Sequence, residues 1–357
     1  MIKKIKMSGV QYFFWIVGMV FGNTAFSHPT SNAYQDGWLS FIIAWTGGFL
    51  LMTLYILIYR LNPGETLVGI LKNYFGKVIG TLFSILYLIY FFHLGTIGLR
   101  YSVEFLKTVT YFETPIIALA IAGTLTIAYV LKTGLEAIGR IGELIVPPVI
   151  VIIILIFTAL ISEYNIQNLL PFMSEGIKPI LLVSFQTMSI SFGQTVVFLM
   201  IFPYLNKEAR LFKTSYAGIA VIGILLLLIV FQEIFVLGPD LVYRYIFPTQ
   251  ITARLLPAID VDQLVAVSYV IGGGIKIVIV ILAVLLGIAE LFNFKEYIVF
   301  VLPICALMIV VSFWLFNNIF HLIDWNIEIF PYYSIPFQIV IPVIILILSI
   351  LKKQIYR

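Results

Sequence analysis

Lys276 follows Gly272-Gly273-Gly274 and stands about midway along the apolar run 263–291. An ammonium at a bilayer centre is unfavourable by about 2.5–3.5 kcal/mol on insertion scales, so it requires a partner or water. A second signal is the series Tyr90, His93, Ile97, Arg100 and Glu104, whose spacings of 3, 4, 3 and 4 put all five on one helix face. Arg100 and Glu104 form an i,i+4 pair able to neutralise each other, and a polar face on a membrane helix looks toward the bundle or a water-filled path. A third signal is two interrupted apolar runs. Gly18, Gly22, Asn23, Thr24 and Pro29 interrupt one; Ser189, Ser191, Gly193 and Gln194 interrupt the other. Backbone that unwinds at mid-membrane is tolerated only where it lines a cavity or is covered by protein.

Each signal has a plainer alternative. Gly and Ser also serve close helix packing in membranes. Asn23 and Gln194 also suit the simple task of satisfying broken backbone. Arg100, Glu104 and Lys276 have stems long enough to reach an interface. Glu143, Glu233 and Glu290 lie near helix ends and read as solvated or capped. No nucleophile–base pair or phosphate loop is present. His28, His93 and His321 are far apart, and Cys305 is the single cysteine. An enzyme, a disulfide, a cysteine-type metal site and a cofactor are therefore not expected.

The elements that position these residues are set by composition. Of 357 residues, 62% are hydrophobic and 11% charged. That leaves too little polar surface for a water-soluble globule and excludes a nucleic-acid-binding domain. Ten runs are long enough to span a hydrocarbon core about 30 Å thick: 8–34, 37–59, 78–106, 113–131, 138–161, 179–203, 212–237, 263–291, 295–316 and 331–351. They are continuous rather than alternating, which argues for helices over a barrel. The fold class expected is an all-α integral membrane protein, one transmembrane domain over 1–357. Lys3, Lys4 and Lys6 precede the first run, which is kept as a helix and not as a signal peptide: it is long and another span follows at once.

With both termini cytoplasmic, fifteen Lys and Arg residues fall on the inner side and only Lys107, Lys178, Arg244 and Arg254 on the outer. Residues 162–178 and 240–262 read as amphipathic segments over the outer mouth. The ten spans divide into 8–161 and 179–351. Five is odd, so an internal repeat must be inverted, and the first span of each half is then the interrupted one. Paired interruptions of this kind point to a transporter-type binding site.

The motif Gly22-Asn23-Thr24-Ala25-Phe26-Ser27-His28-Pro29, followed by Tyr34-Gln35-Asp36-Gly37-Trp38-Leu39-Ser40, resembles the first-helix signature and following turn of the spore-germination permeases. These are the membrane B subunits of GerA-type germinant receptors, in the amino acid/polyamine/organocation superfamily. Gly134-Leu135-Glu136-Ala137-Ile138-Gly139-Arg140-Ile141-Gly142-Glu143 resembles the start of that family's fifth helix, and Phe192-Gly193-Gln194 through Phe202-Pro203-Tyr204-Leu205 its sixth. Thr24 stands where the pattern has a second glycine, and Gln194 where it has a glutamate. The second departure removes a group that titrates.

The resemblance implies a LeuT-type 5+5 inverted repeat with broken helices 1 and 6. It also implies a small-molecule germinant, usually an amino acid, an A-type and a lipoprotein C-type partner, and the spore inner membrane. On this reading N–H groups of Asn23, Thr24 and Ala25 hold a carboxylate, carbonyls near Ser189 hold an ammonium, and Ser191 and Gln194 add hydrogen bonds under Phe192. Gly22 and Gly193 give the unwound backbone, and Tyr90, His93 and Ile97 wall the pocket. Lys276 stands in for the ion that helices 1 and 8 flank in LeuT-type proteins. A secondary transporter and a channel or scaffold with a vestigial pocket are the alternatives.

Overall fold

The computed structural model describes residues 7–24, 29–206, 210–256 and 261–355. Every long apolar run is helical, as it must be where no water can satisfy main-chain groups. The helices are α1 (Gly9–Thr24), α2 (Gly37–Leu61), α3 (Leu67–Val109), α4 (Ile116–Lys132), α5 (Leu135–Ala159), α6 (Ile177–Thr187), α7 (Leu211–Leu237), α8 (Pro239–Arg244), α9 (Pro248–Arg254), α10 (Val261–Leu291), α11 (Val301–Leu315), α12 (Ile319–Asp324), α13 (Phe330–Ile335) and α14 (Ile341–Ile355). Among the described residues, eight helical segments are long and apolar enough to cross a membrane, and α4 and the first helix are shorter apolar ones. The outward face carries large apolar side chains, with Val78 83%, Trp314 77%, Leu144 75% and Tyr129 72% exposed. That is the surface of a multi-pass membrane protein, inverted relative to a soluble one. α10 and the sixth segment run through the centre, and α11 lies on the outside.

Three sequence expectations change. The sixth span is not broken into two rods. It stays helical from α6 through a π-helical turn, Met188–Phe192, into a 3₁₀ stretch, Gly193–Met200. The main chain changes hydrogen-bond register without unwinding, so a broken helix 6 is corrected to a loosened one. The first span also differs from the expectation. Asn23 and Thr24 lie at the end of α1, a 16-residue helix, rather than at the start of an outward half. Free N–H groups belong to a helix's first turn and free carbonyls to its last, so these two residues do not offer amides to an anion. Thr24 Oγ1 donates to the Val20 carbonyl at 3.0 Å instead. Ala25 lies outside the described residues. A 3₁₀ helix, Pro29–Asp36, follows and leads directly into α2, with Tyr34 held at φ 49°, ψ −128°. The third difference is the last span, which begins at Ile319 and not at 331, because Trp325–Ile329 and Pro336–Val340 are π-helical turns that join α12, α13 and α14.

Of the two outer segments, 240–262 contains the short helices α8 and α9, each opened by a proline, whereas 162–178 forms only 3₁₀ turns at Ile161–Glu163 and Ile166–Leu169. α3 is longer than expected and bends at Gly76, which adopts φ 76°. Pro147 and Pro148 lie inside α5.

Candidate functional site

α1 packs its last turns on α10, main chain meeting main chain at Gly22 and Gly272, with the Phe21 ring edge-on to Tyr269 beside them. A Cβ at Gly22 would overlap the carbonyl of Gly272, so glycine is required for the contact. Lys276 lies one turn further along α10 and is only 3% exposed. Its stem lies against α3: a Cβ at Gly98 would stand 3.6 Å from Lys276 Cδ. Among the described residues, no carboxylate is within ion-pair distance of its ammonium. His93 is near enough to feel its charge. The lysine is therefore buried between α10 and α3, and it does not stretch to an interface.

The polar face of α3 is real and inward, with Tyr90 and Ile97 each 2% exposed. Tyr90 and His93 do not face open space, however. Tyr90 Oη accepts from Gln338 Nε2 at 2.8 Å, and His93 Nδ1 is hydrogen-bonded to Tyr333 Oη. Arg100 donates from Nε and Nη2 to Glu104 Oε1 at 2.9 and 2.6 Å, and its guanidinium lies 4.7 Å from the Phe313 ring centre. The expected i,i+4 neutralisation holds, in a buried setting.

In the sixth segment Ser189, Ser191, Phe192, Gly193 and Gln194 are all buried. Ser189 Oγ is hydrogen-bonded to Ser334 Oγ at 2.7 Å and donates to Gln338 Oε1 at 3.1 Å. Phe192 closes against Phe41 and Gly48 of α2. Gln338 Oε1 occupies the place of the Cβ that Gly193 lacks, so a side chain there would displace the Gln338 amide. Gln194 Oε1 is buried with no hydrogen-bond partner among the described residues, and so are Gln186 Oε1, Thr187 Oγ1 and Trp325 Nε1. Buried polar atoms are ordinarily paired, and each orphan costs about 1–3 kcal/mol. Three of these atoms lie on the sixth segment and one on the turn between α12 and α13.

Sequence reasoning missed Gln338, Ser334, Tyr333 and Tyr55. The signal was present as Pro331, Pro336 and Pro342 around a lone Gln338 in an apolar run. Proline has no N–H, so Pro342 leaves the Gln338 carbonyl without its helical donor, and the π register, in which the Ile341 N–H bonds to the Pro336 carbonyl, passes over that of Phe337. Two tyrosines supply it: Tyr55 Oη donates to the Gln338 carbonyl at 2.9 Å and Tyr87 Oη to that of Phe337 at 2.8 Å.

Glu233 is a further correction, being 1% exposed rather than solvated, with its carboxylate accepting from Thr249 Oγ1. Glu290 is half-buried and accepts from Thr66 Oγ1 at 2.6 Å, whereas Glu143 is exposed as expected.

The architecture has counterparts among solved transporters. A Na+-coupled sialic acid symporter in its substrate-bound outward-open state matches with a TM-score of 0.68 at 13% identity, covering 92% of this chain and 80% of the symporter. MhsT in complex with L-phenylalanine matches at 0.63 and 14%, covering 92% and 88%. An Eremococcus coleocola manganese transporter matches at 0.62 and 14%, covering 95% and 78%. These are LeuT-fold proteins, and identities this low establish the fold alone. The chain belongs to the spore germination protein family, whose pattern it matches over residues 6–321. It is 28% identical over 363 aligned positions to spore germination protein KB of Bacillus subtilis (strain 168), covering 99% of this chain and 96% of that protein. It is 26% identical over 216 positions to spore germination protein A2 of the same organism, covering 60% and 58%. Family and fold point to a receptor or transporter, not an enzyme.

Proposed function

We propose that this chain is the ligand-sensing membrane subunit of a germinant receptor. It takes a small germinant, an amino acid, into the space bounded by the end of α1, the sixth segment, α3 and α10. The observation that carries this reading is the buried Gln194 Oε1, an acceptor on the sixth segment with no hydrogen-bond partner among the described residues. Gly22, Ser191, Phe192, Gly193 and Ile97 shape that space, Asn23 and Thr24 bring the carbonyl end of α1 to it, and Lys276 supplies its positive charge. The α-carboxylate pairs with the Lys276 ammonium, and the α-ammonium faces the α1 carbonyls and Gln194 Oε1. A fixed lysine also takes the place of a coupling cation. Ligand shifts the bundle only as far as its affinities for two states differ.

The eight long and two shorter apolar helices are the basis for ten spans in a 5+5 inverted arrangement, with both termini cytoplasmic, in the spore inner membrane and beside A-type and lipoprotein C-type subunits. A working amino-acid transporter is the second reading, favoured by the likeness to MhsT with its bound L-phenylalanine.

The test is equilibrium binding of a panel of labelled amino acids and nucleosides to the purified full-length chain, paired with uptake into proteoliposomes. Saturable binding without concentrative uptake supports the sensor, and uptake the transporter. Binding should be equal in sodium and in choline media and fall at least tenfold in Lys276→Met and Gln194→Leu. Normal binding by both variants sinks the site.

A further inference from the structure

Two described cavities lie away from that site and form one path along α10. The first, about 280 Å³, is lined by α4, α5, α10 and Trp15 of α1, and every lining side chain is apolar except Thr126. The second, about 650 Å³, lies at the start of α10 between the end of α3 and α9, and includes Thr110, Gln250, Asp262 and Gln263. Val270 and Ile271 line both. From Asp262 to Ile279 the path runs about 25 Å at 1.5 Å per residue, close to the hydrocarbon thickness of a bilayer. It is polar at one end and apolar along the rest. The helices beside it expose Ile121, Leu125, Tyr129, Leu144 and Val267, so it opens on a lipid-facing surface.

Three details suit an amphiphile lying in this path. A Cβ at Gly274 would meet nothing within 4 Å, so the missing side chain leaves room in the apolar part. At the polar end Gln250 is 2% exposed and its Oε1 has no hydrogen-bond partner among the described residues, while its Nε2 donates to the Asp262 carbonyl at 2.8 Å. Beside it Arg254 Nε and Asp262 Oδ2 are 3.4 Å apart, a long and partly exposed ion pair that a zwitterion can replace charge for charge.

We propose that this path is a binding site for a bilayer phospholipid with a zwitterionic, amine-bearing headgroup. The phosphate meets Arg254, the amine meets Asp262 and Gln250 Oε1, and one acyl chain lies along α10 past Gly274. Acceptors at both amine contacts select a head that carries N–H donors over a quaternary one.

The test is quantification of lipid retained by the full-length chain purified from nanodiscs holding equal phosphatidylethanolamine and phosphatidylcholine. About one ethanolamine lipid per chain, retained at least fivefold over choline lipid, is expected. Gly274→Leu should lose it with an unchanged thermal midpoint. Gly123→Leu, equally unobstructed but outside the path, should keep it. Asp262→Asn should erase the head preference and leave a lipid bound. Retention of no stoichiometric lipid, or equal retention by Gly274→Leu and wild type, overturns the site; equal retention of both heads by wild type overturns the headgroup assignment. Should Gly274→Leu not fold, quenching of Trp15 by acyl-brominated phosphatidylethanolamine in the wild type, measured against Trp15→Phe, decides the same point, and no difference overturns the site.

Discussion

Gln338 ties together three parts of the bundle: Nε2 donates to Tyr90 Oη and to the Ser189 carbonyl, while Oε1 accepts from Ser189 Oγ. Replacing it with leucine keeps the bulk and orphans buried partners. Gln338→Leu should therefore lower stability by about 1–3 kcal/mol, read as a drop in the thermal midpoint in detergent. Arg100 and Glu104 give a sharper contrast, since their side chains are only 4% and 11% exposed. Arg100→Met strands a carboxylate and should cost about 3–5 kcal/mol. The double variant Arg100→Met/Glu104→Gln should recover most of that loss, because it removes the stranded charge. A double variant no more stable than the single one would mean that packing against Phe313 dominates the guanidinium's contribution. At this scale the sequence was readable where side chains announce themselves by charge. The α3 face and the burial of Lys276 followed from spacing and position alone. Glu233 was misread because closeness to a helix end says nothing about α9 folding over it.

The last span shows how an element is shaped by a residue that lacks one hydrogen. Pro342 and the π turn before it leave one carbonyl free each, and Tyr55 and Tyr87 reach from α2 and α3 to take them. If this account is right, Tyr55→Phe should cost about 1–2 kcal/mol in the wild type and clearly less in a Pro342→Ala background. There a new N–H competes for the Gln338 carbonyl. Equal cost in both backgrounds would show that the tyrosine acts through other contacts, such as the Gly193 carbonyl 3.3 Å away. Element type was legible throughout, since long apolar runs in lipid have one solution. Element interior was not. Gly, Ser and Gln in the sixth span signal a departure from α geometry without saying which, and the departure proved to be a register change. A sequence cannot separate unwinding from a π turn followed by 3₁₀ when both ask for the same small and polar residues.

At the scale of the whole molecule the proposed orientation has a direct check. Cys305 is the single cysteine and is buried, so a Cys305→Ser protein is a clean background for labelling. In sealed vesicles, cysteines placed at Lys352 and Lys132 should react from one side and those at Lys107 and Arg254 from the other. Reaction of all four from the same side would overturn the proposed topology. The charge asymmetry behind this expectation is a property of the loops and was fully visible in the sequence. The meeting of Gln338 with Gly193 was not, because the contact depends on a glycine whose partner lies 145 positions away.

The crossing of α1 and α10 has a mechanical consequence. With main chain on main chain at Gly22 and Gly272, the two helices cannot part there without leaving a void, so a rigid tilt of α1 would turn about that point. Thr24 lies two residues beyond it, about 3 Å, and Tyr12 ten residues before it, about 15 Å. A nudge of 1 Å at the short arm therefore swings the long arm about 5 Å the opposite way. The long arm carries Tyr12, whose hydroxyl is bonded to Ser215 and whose ring meets Phe198 and Phe202 edge-on. At the proposed site, a small molecule that tilted α1 would thus be geared to the far side of the bundle.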